Sequence, residues 1–266
     1  MNTEEFDELI IDEQDGIALV KLNRPDKLNS WGGHMNEQLS RYLLSLNQGS
    51  YDVRAIVLTG EGRAFSAGGD VRGFPAANPG AERPPWRPSH PHLQVVNTMR
   101  HCDVPIIGAI NGYAVGAGWS TALACDIRIA ADDATFQVSQ TKRGIVADAG
   151  LSYFLPRVVG TQRALELMFT GRRVTADEAL EMGVVLEVVP AAQLLDRAME
   201  VAAAVAAGPP LSSAAHKRLV YMLEDDDLTR VQDLTSMIVG KLFLTEDGAE
   251  GVRSFVERRE PEFTGR

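Results

Sequence analysis

The chain has 266 residues, 45% hydrophobic and 23% charged, which is enough for one large α/β core. Its formal net charge of -10 argues against a nucleic-acid partner, which would require a basic face. Two cysteines without metal spacing, and no apolar run of membrane-spanning length, speak against a disulfide framework, a thiolate metal site and a transmembrane segment. The acidic opening Asn2-Thr3-Glu4-Glu5 is unlike a signal peptide, so the chain is read as cytoplasmic, with Cys102 and Cys125 as buried free thiols.

Residues 8–11 and 17–22, joined at Asp15-Gly16, predict an opening hairpin with alternating faces. Residues 33–46 carry Met35, Leu39, Tyr42, Leu43 and Leu46 at helical spacing. A buried strand follows at 53–58, overlapping the apolar run Ala55-Ile56-Val57-Leu58-Thr59-Gly60, and then a glycine turn at 64–70. Residues 75–92 hold six prolines and predict an irregular lid or loop. Its Trp86, His90 and His92 are read as surface residues before pocket residues.

Residues 106–110 form a short buried strand bounded by Pro105 and Asn111-Gly112, and residues 119–125 form a small-residue helix after Gly116 and Gly118. With a strand at 127–130, strands and helices alternate as in parallel crossover units. Beyond Pro190 the pattern changes to amphipathic helices at 192–207, 209–223, 228–242 and 247–259, suited to a helical layer or an oligomer interface. The chain thus divides into residues 1–190 and 191–266, read as one functional unit.

A strand, a glycine turn and a buried helix together present unpaired N–H groups at a helix N-terminus. Such groups hold an anion or the oxygen of a polarised carbonyl, although a tightly packed helix start explains the glycines equally well. The G-x-G-x-x-G order of a dinucleotide site is absent. The turn at 64–70 supplies a second set of exposed amides, able to face one carbonyl from the other side.

With these two turns the sequence resembles the crotonase (enoyl-CoA hydratase/isomerase) superfamily. The resemblance is carried by Asn23-Arg24-Pro25-Asp26-Lys27-Leu28-Asn29, residues 64–70 and 105–118, Cys125-Asp126-Ile127-Arg128, Leu155-Pro156-Arg157, Thr170-Gly171-Arg172, residues 179–189 and Phe255-Val256-Glu257-Arg258-Arg259. These pieces fall in the family's order along nearly the whole chain. The resemblance implies an α/β fold of the ClpP/crotonase kind, a β-β-α spiral core followed by a C-terminal helical trimerisation region. It also implies a homotrimer or dimer of trimers, with an acyl-CoA substrate and no permanent cofactor, metal, nucleic acid or membrane partner. Coenzyme A would enter only as part of the thioester.

Residue by residue, the resemblance puts the two oxyanion-hole amides on Gly69 and Ala117. It gives cations around the coenzyme A phosphates at Arg24, Arg72 and Arg258, and a backbone contact to adenine at Ala67. The two water-activating glutamates of a typical hydratase fall on Ser120 and Gln140, which cannot exchange a proton usefully near neutral pH. They are read as substrate contacts. Asp148 stands where several isomerases of the superfamily carry a catalytic aspartate, and its bland reading is a cap on a helix beginning at Ala149. Asp126 is read as a structural hydrogen-bonding residue, and Tyr153 and Phe154 as acyl-pocket or core residues.

The expected reaction is isomerisation of an unsaturated acyl-CoA, with Asp148 moving the proton and Gly69 and Ala117 holding the enolate. The alternatives are a hydratase using noncanonical acids, another enolate chemistry, or a non-catalytic acyl-CoA-binding paralogue.

Overall fold

The computed structural model describes residues 6–47, 51–70, 95–224 and 226–266. The proline-rich segment at 75–92, with its Trp86, His90 and His92, and the cation Arg72 lie outside the described residues. Strands β1 (Leu9–Gln14) and β2 (Ile17–Leu22) form the opening hairpin. Asp15 at φ 51 and Gly16 at φ 77 give the two left-handed residues that a two-residue hairpin turn requires. Charged Asp12 and Glu13 on β1 leave it as the outer strand of the sheet, where a charged edge discourages further pairing.

Helix α1 (Met35–Leu46) buries Met35, Leu39, Tyr42 and Leu43 against the sheet's inner face, and strand β3 (Ala55–Gly60) pairs parallel with β2. After α2 (Val95–His101) comes β4 (Ile106–Ile110), parallel to β3, with the short β5 (Tyr113–Val115) and α3 (Ala117–Ala124) behind it. Strands β6 (Ile127–Ala131) and β7 (Thr135–Gln137) then repeat the pattern: β6 extends the large sheet beside β4, and β7 lies parallel to β5. Each strand pair therefore stacks on the one before it, which is the geometry of a β-β-α spiral. Helices α4 (Leu151–Val159) and α5 (Thr161–Thr170) follow, then strand β8 (Arg173–Thr175), helix α6 (Ala176–Glu181) and strand β9 (Glu187–Val189). The two sheets run β1-β2-β3-β4-β6-β9 and β5-β7-β8.

Strands β3 and β4 are buried on both faces, so they read as continuous apolar runs rather than alternating ones. Ile56, Leu58, Ile106 and Ile110 face the larger core with α1 to α4, while Ala55, Val57, Ile107 and Ala109 face helix α7 (Leu194–Ala206). That helix presents Leu194, Ala198, Ala202 and Ala206 at four-residue spacing, a small-residue stripe that lets its axis lie close to the sheet. Helices α8 (Pro210–Met222), α9 (Leu228–Leu242) and α10 (Glu246–Glu257) complete the C-terminal helical region.

The small-residue helix begins at Ala117, two residues before its predicted start, because Gly116 at φ 55 and ψ -118 is the break between strand and helix. Strands β5, β7, β8 and β9 have three residues each, too short to show a period of two, and the sequence reading did not find them. No helix among the described residues is long and apolar enough to cross a membrane.

Candidate active site

The two glycine turns are stitched together by backbone. Phe65 N donates to Asn111 O at 2.6 Å, Ser66 N to Tyr113 O at 2.8 Å, and Val115 N to Ser66 O at 2.9 Å. Two glycines make this approach possible. A Cβ on Gly118 would stand 2.3 Å from Ser66 O, and one on Gly68, which sits at φ 89, would stand 2.5 Å from Val115 O. Gly69 is further fixed by its neighbours, since Trp31 N donates to Gly68 O and Asp70 N to Trp31 O.

The amides of Gly69 and Ala117 donate to no acceptor among the described residues. Both residues line one small cavity of about 50 Å³, together with Ala67, Gly116, Ser139, Gln140, Arg143, Ile145 and Asp148. Five residues named from the sequence (Ala67, Gly69, Ala117, Gln140 and Asp148) thus meet in one place. Gly116, Ser139, Arg143 and Ile145 were missed. Their signal was adjacency alone, because each lies beside or within a segment that had already been singled out.

Among the described residues, Asp148 is the only carboxylate lining the cavity. Its Oδ1 accepts from Gln140 Nε2 at 2.8 Å. The capping alternative is corrected here: α4 starts at Leu151, Gly150 occupies the cap position at φ 88, and no side chain caps the helix. Ser120 is fully buried on α3 and does not line the cavity, and its hydroxyl donates to the Ala149 carbonyl, next to Asp148.

The arginines lie elsewhere. Arg24 donates to Ser30 O at 2.7 Å and pairs with Glu8 at 3.2 Å and Asp70 at 3.6 Å. Arg258 is exposed at the left-handed end of α10. Neither lines the cavity.

A second cavity, of about 580 Å³, has Gly150, Arg100, Tyr153, Phe154 and Tyr221 in its wall. The Arg100 guanidinium stacks on Phe154 at 4.6 Å and on Tyr221 at 3.7 Å. No group of three or more His, Cys, Asp or Glu residues among those described is arranged to hold a metal ion.

A sequence model described as enoyl-CoA hydratase/isomerase matches residues 12–266. The chain is 35% identical over 252 residues to a probable enoyl-CoA hydratase of Rhodobacter capsulatus, covering 95% of this chain and 96% of that one. It is 33% identical over 253 residues to the 1,2-epoxyphenylacetyl-CoA isomerase of Escherichia coli, covering 94% and 96%. Among solved structures, the enoyl-CoA hydratase of Bacillus anthracis superposes with a TM-score of 0.88 at 32% identity, covering 97% of this chain and all of that one.

Proposed function

Because the chain belongs to the enoyl-CoA hydratase/isomerase family, we propose that it isomerises an unsaturated acyl-CoA, with Asp148 as the single acid/base. One observation carries the reading: two amides with no acceptor among the described residues and one carboxylate share a cavity. The thioester oxygen would accept from Gly69 N and Ala117 N. Asp148 would take a proton from the carbon beside the thioester and return it at the far end of the shifted double bond. The electron pair left behind would rest on the oxygen between the two amides, where one such donor stabilises a transition state by about 3 kcal/mol.

The 50 Å³ cavity holds the reacting atoms and a few more, since a water needs about 10–15 Å³ by the same measure. The acyl group is assigned to the larger cavity beside Gly150. Ala67 is assigned to adenine, and Arg24, Arg72 and Arg258 to the phosphates. Ser120 and Gln140 are retained as residues that shape the substrate site. A second reading is hydration of a 2-enoyl-CoA by the same aspartate, favoured by the Gln140 side-chain oxygen Oε1, which has no partner among the described residues and would accept from water.

We also propose a homotrimer or dimer of trimers. Leu244 and Phe255, 88% and 85% exposed, lie with Phe243 and Val256 on and beside α9 and α10, an apolar surface suited to a subunit contact. Light scattering that gives a monomer mass for active protein would remove this assembly.

The test of the reaction is deuterium exchange at the α- and γ-carbons of 2-enoyl- and 3-enoyl-CoAs, followed by mass spectrometry for native protein and Asp148→Asn. Isomerisation and exchange should disappear in the variant. Persistence of either would remove Asp148 from the role.

A further inference from the structure

Gln140 is 5% exposed, and its two polar side-chain atoms have different fates. Nε2 donates to Asp148 Oδ1 at 2.8 Å. Asp148 Oδ1 is the acceptor in this bond, so the amide turns its nitrogen toward the carboxyl and its oxygen away. Oε1 is left as an obligate acceptor, buried and without a partner among the described residues. Ser139, in the wall of the same cavity, does not bond to it. The Gly69 and Ala117 amides face the position assigned to the thioester oxygen, and the Ser120 hydroxyl is committed to Ala149. A buried acceptor without a donor is unfavourable, and a ligand that supplies the donor removes the penalty.

We propose that Gln140 Oε1 is a specificity-determining acceptor for an O–H group held beside Asp148. That group is a hydroxyl on the acyl chain close to the thioester, or a water held against the double bond. The inference rests on the acyl-CoA reading above. Gln140 selects by hydrogen bonding and moves no proton. Its amide keeps Asp148 and the ligand oxygen on a common edge, so a ligand lacking O–H leaves Oε1 unpaired. Sites built this way discriminate strongly against analogues that lack the donor.

The experiment compares calorimetric binding of 3-hydroxybutanoyl-CoA, 3-methoxybutanoyl-CoA and butanoyl-CoA to native protein, Gln140→Met and Gln140→Glu, alongside hydration of 2-butenoyl-CoA. Native protein should favour the hydroxy ligand over both others by about tenfold. Gln140→Met, of similar volume but without the acceptor, should lose that ratio, and Gln140→Glu should keep it. The ratio is the readout, because total affinity and turnover also respond to the lost bond to Asp148.

If native protein shows no preference but hydrates 2-butenoyl-CoA, and hydration falls at least tenfold in Gln140→Met and recovers in Gln140→Glu with no new ionisation in the pH–rate profile, water is the O–H source. A hydroxy preference and a hydration rate both unchanged in a folded Gln140→Met would overturn the proposal. Native protein that neither binds nor converts any of these thioesters would instead overturn the acyl-CoA reading, and this inference with it.

Discussion

The Ser120 hydroxyl donates to the carbonyl of Ala149, a residue held at φ 53 and followed at once by Gly150 at φ 88. Two successive left-handed residues form a sharp corner, and Asp148 stands at its entrance. A non-glycine residue in this region costs about 1–2 kcal/mol, so something must hold it there. Ser120, fully buried on α3, ties the corner to the same helix whose first amide belongs to Ala117.

Ser120→Ala should therefore reduce kcat by at least about tenfold while KM changes little, because it frees the corner without touching the substrate. Stability should fall by only about 1 kcal/mol. Ala149→Gly should be neutral or stabilising by up to about 1 kcal/mol, since glycine adopts this φ without penalty. Denaturant titration and steady-state kinetics check both. A Ser120→Ala enzyme with native kcat would show that the corner holds itself.

Asp126 is a structural junction. It accepts from Ile106 N at 2.7 Å and Tyr221 Oη at 2.6 Å, and it pairs with Lys217 Nζ at 2.9 Å. The Lys217 side chain is 4% exposed and also donates to Val104 O. Burial, and then Asp126, hold the Tyr221 phenol well above its ordinary range, so it remains a donor. Asp126→Ala would leave Lys217 as an unpaired buried charge and should cost about 3–5 kcal/mol. Tyr221→Phe should cost only about 1 kcal/mol. Urea unfolding of the two variants gives the comparison, and equal losses would contradict this division.

The last helix carries an acid-sensitive latch. Glu250 accepts from Arg259 and Arg253 and from Glu262 N, while Asp247 accepts from Thr264 N and Gly265 N, pinning the terminal segment against α10. The bonds from Arg259 first, and then Arg253, hold the Glu250 carboxyl at about 2 rather than the ordinary 4.5. A carboxylate lowered in the folded state adds stability that is fully present above pH 4.5 and is lost as the pH falls toward 2. Glu250→Gln should accordingly lie below native protein in melting temperature at neutral pH and converge with it near pH 2. A gap that stays constant with pH would rule the latch out.

The large sheet was legible because β3 and β4 are continuous apolar runs, and α9 because its pattern runs from Leu228 to Leu242 without interruption. The hairpin turn was legible from Asp15-Gly16, whose backbone demands few other residues meet. Of the site, what could be read was what depends on small residues: the turns around Gly69 and Ala117. The partner of Ser120 was not legible. No local pattern says that a serine in a small-residue helix will meet a carbonyl nearly thirty residues on, because that distance is closed only by α3 packing on α4. The Gln140–Asp148 bond was hidden for a related reason. Each residue was assessed by its own chemistry, and the orientation of one amide by a hydrogen bond to the other appears only when both are in place.

The interlocked glycine turns have a consequence for how this protein is made. Gly69 and Ala117 belong to segments that meet only through bonds such as Ser66 N to Tyr113 O, contacts that close a long stretch of chain. Helices form early and locally, whereas such closures come late. A refolding chain would then regain its helical signal well before its first turnover. Catalytic competence would mark the end of assembly, and a half-built copy would be silent rather than indiscriminate.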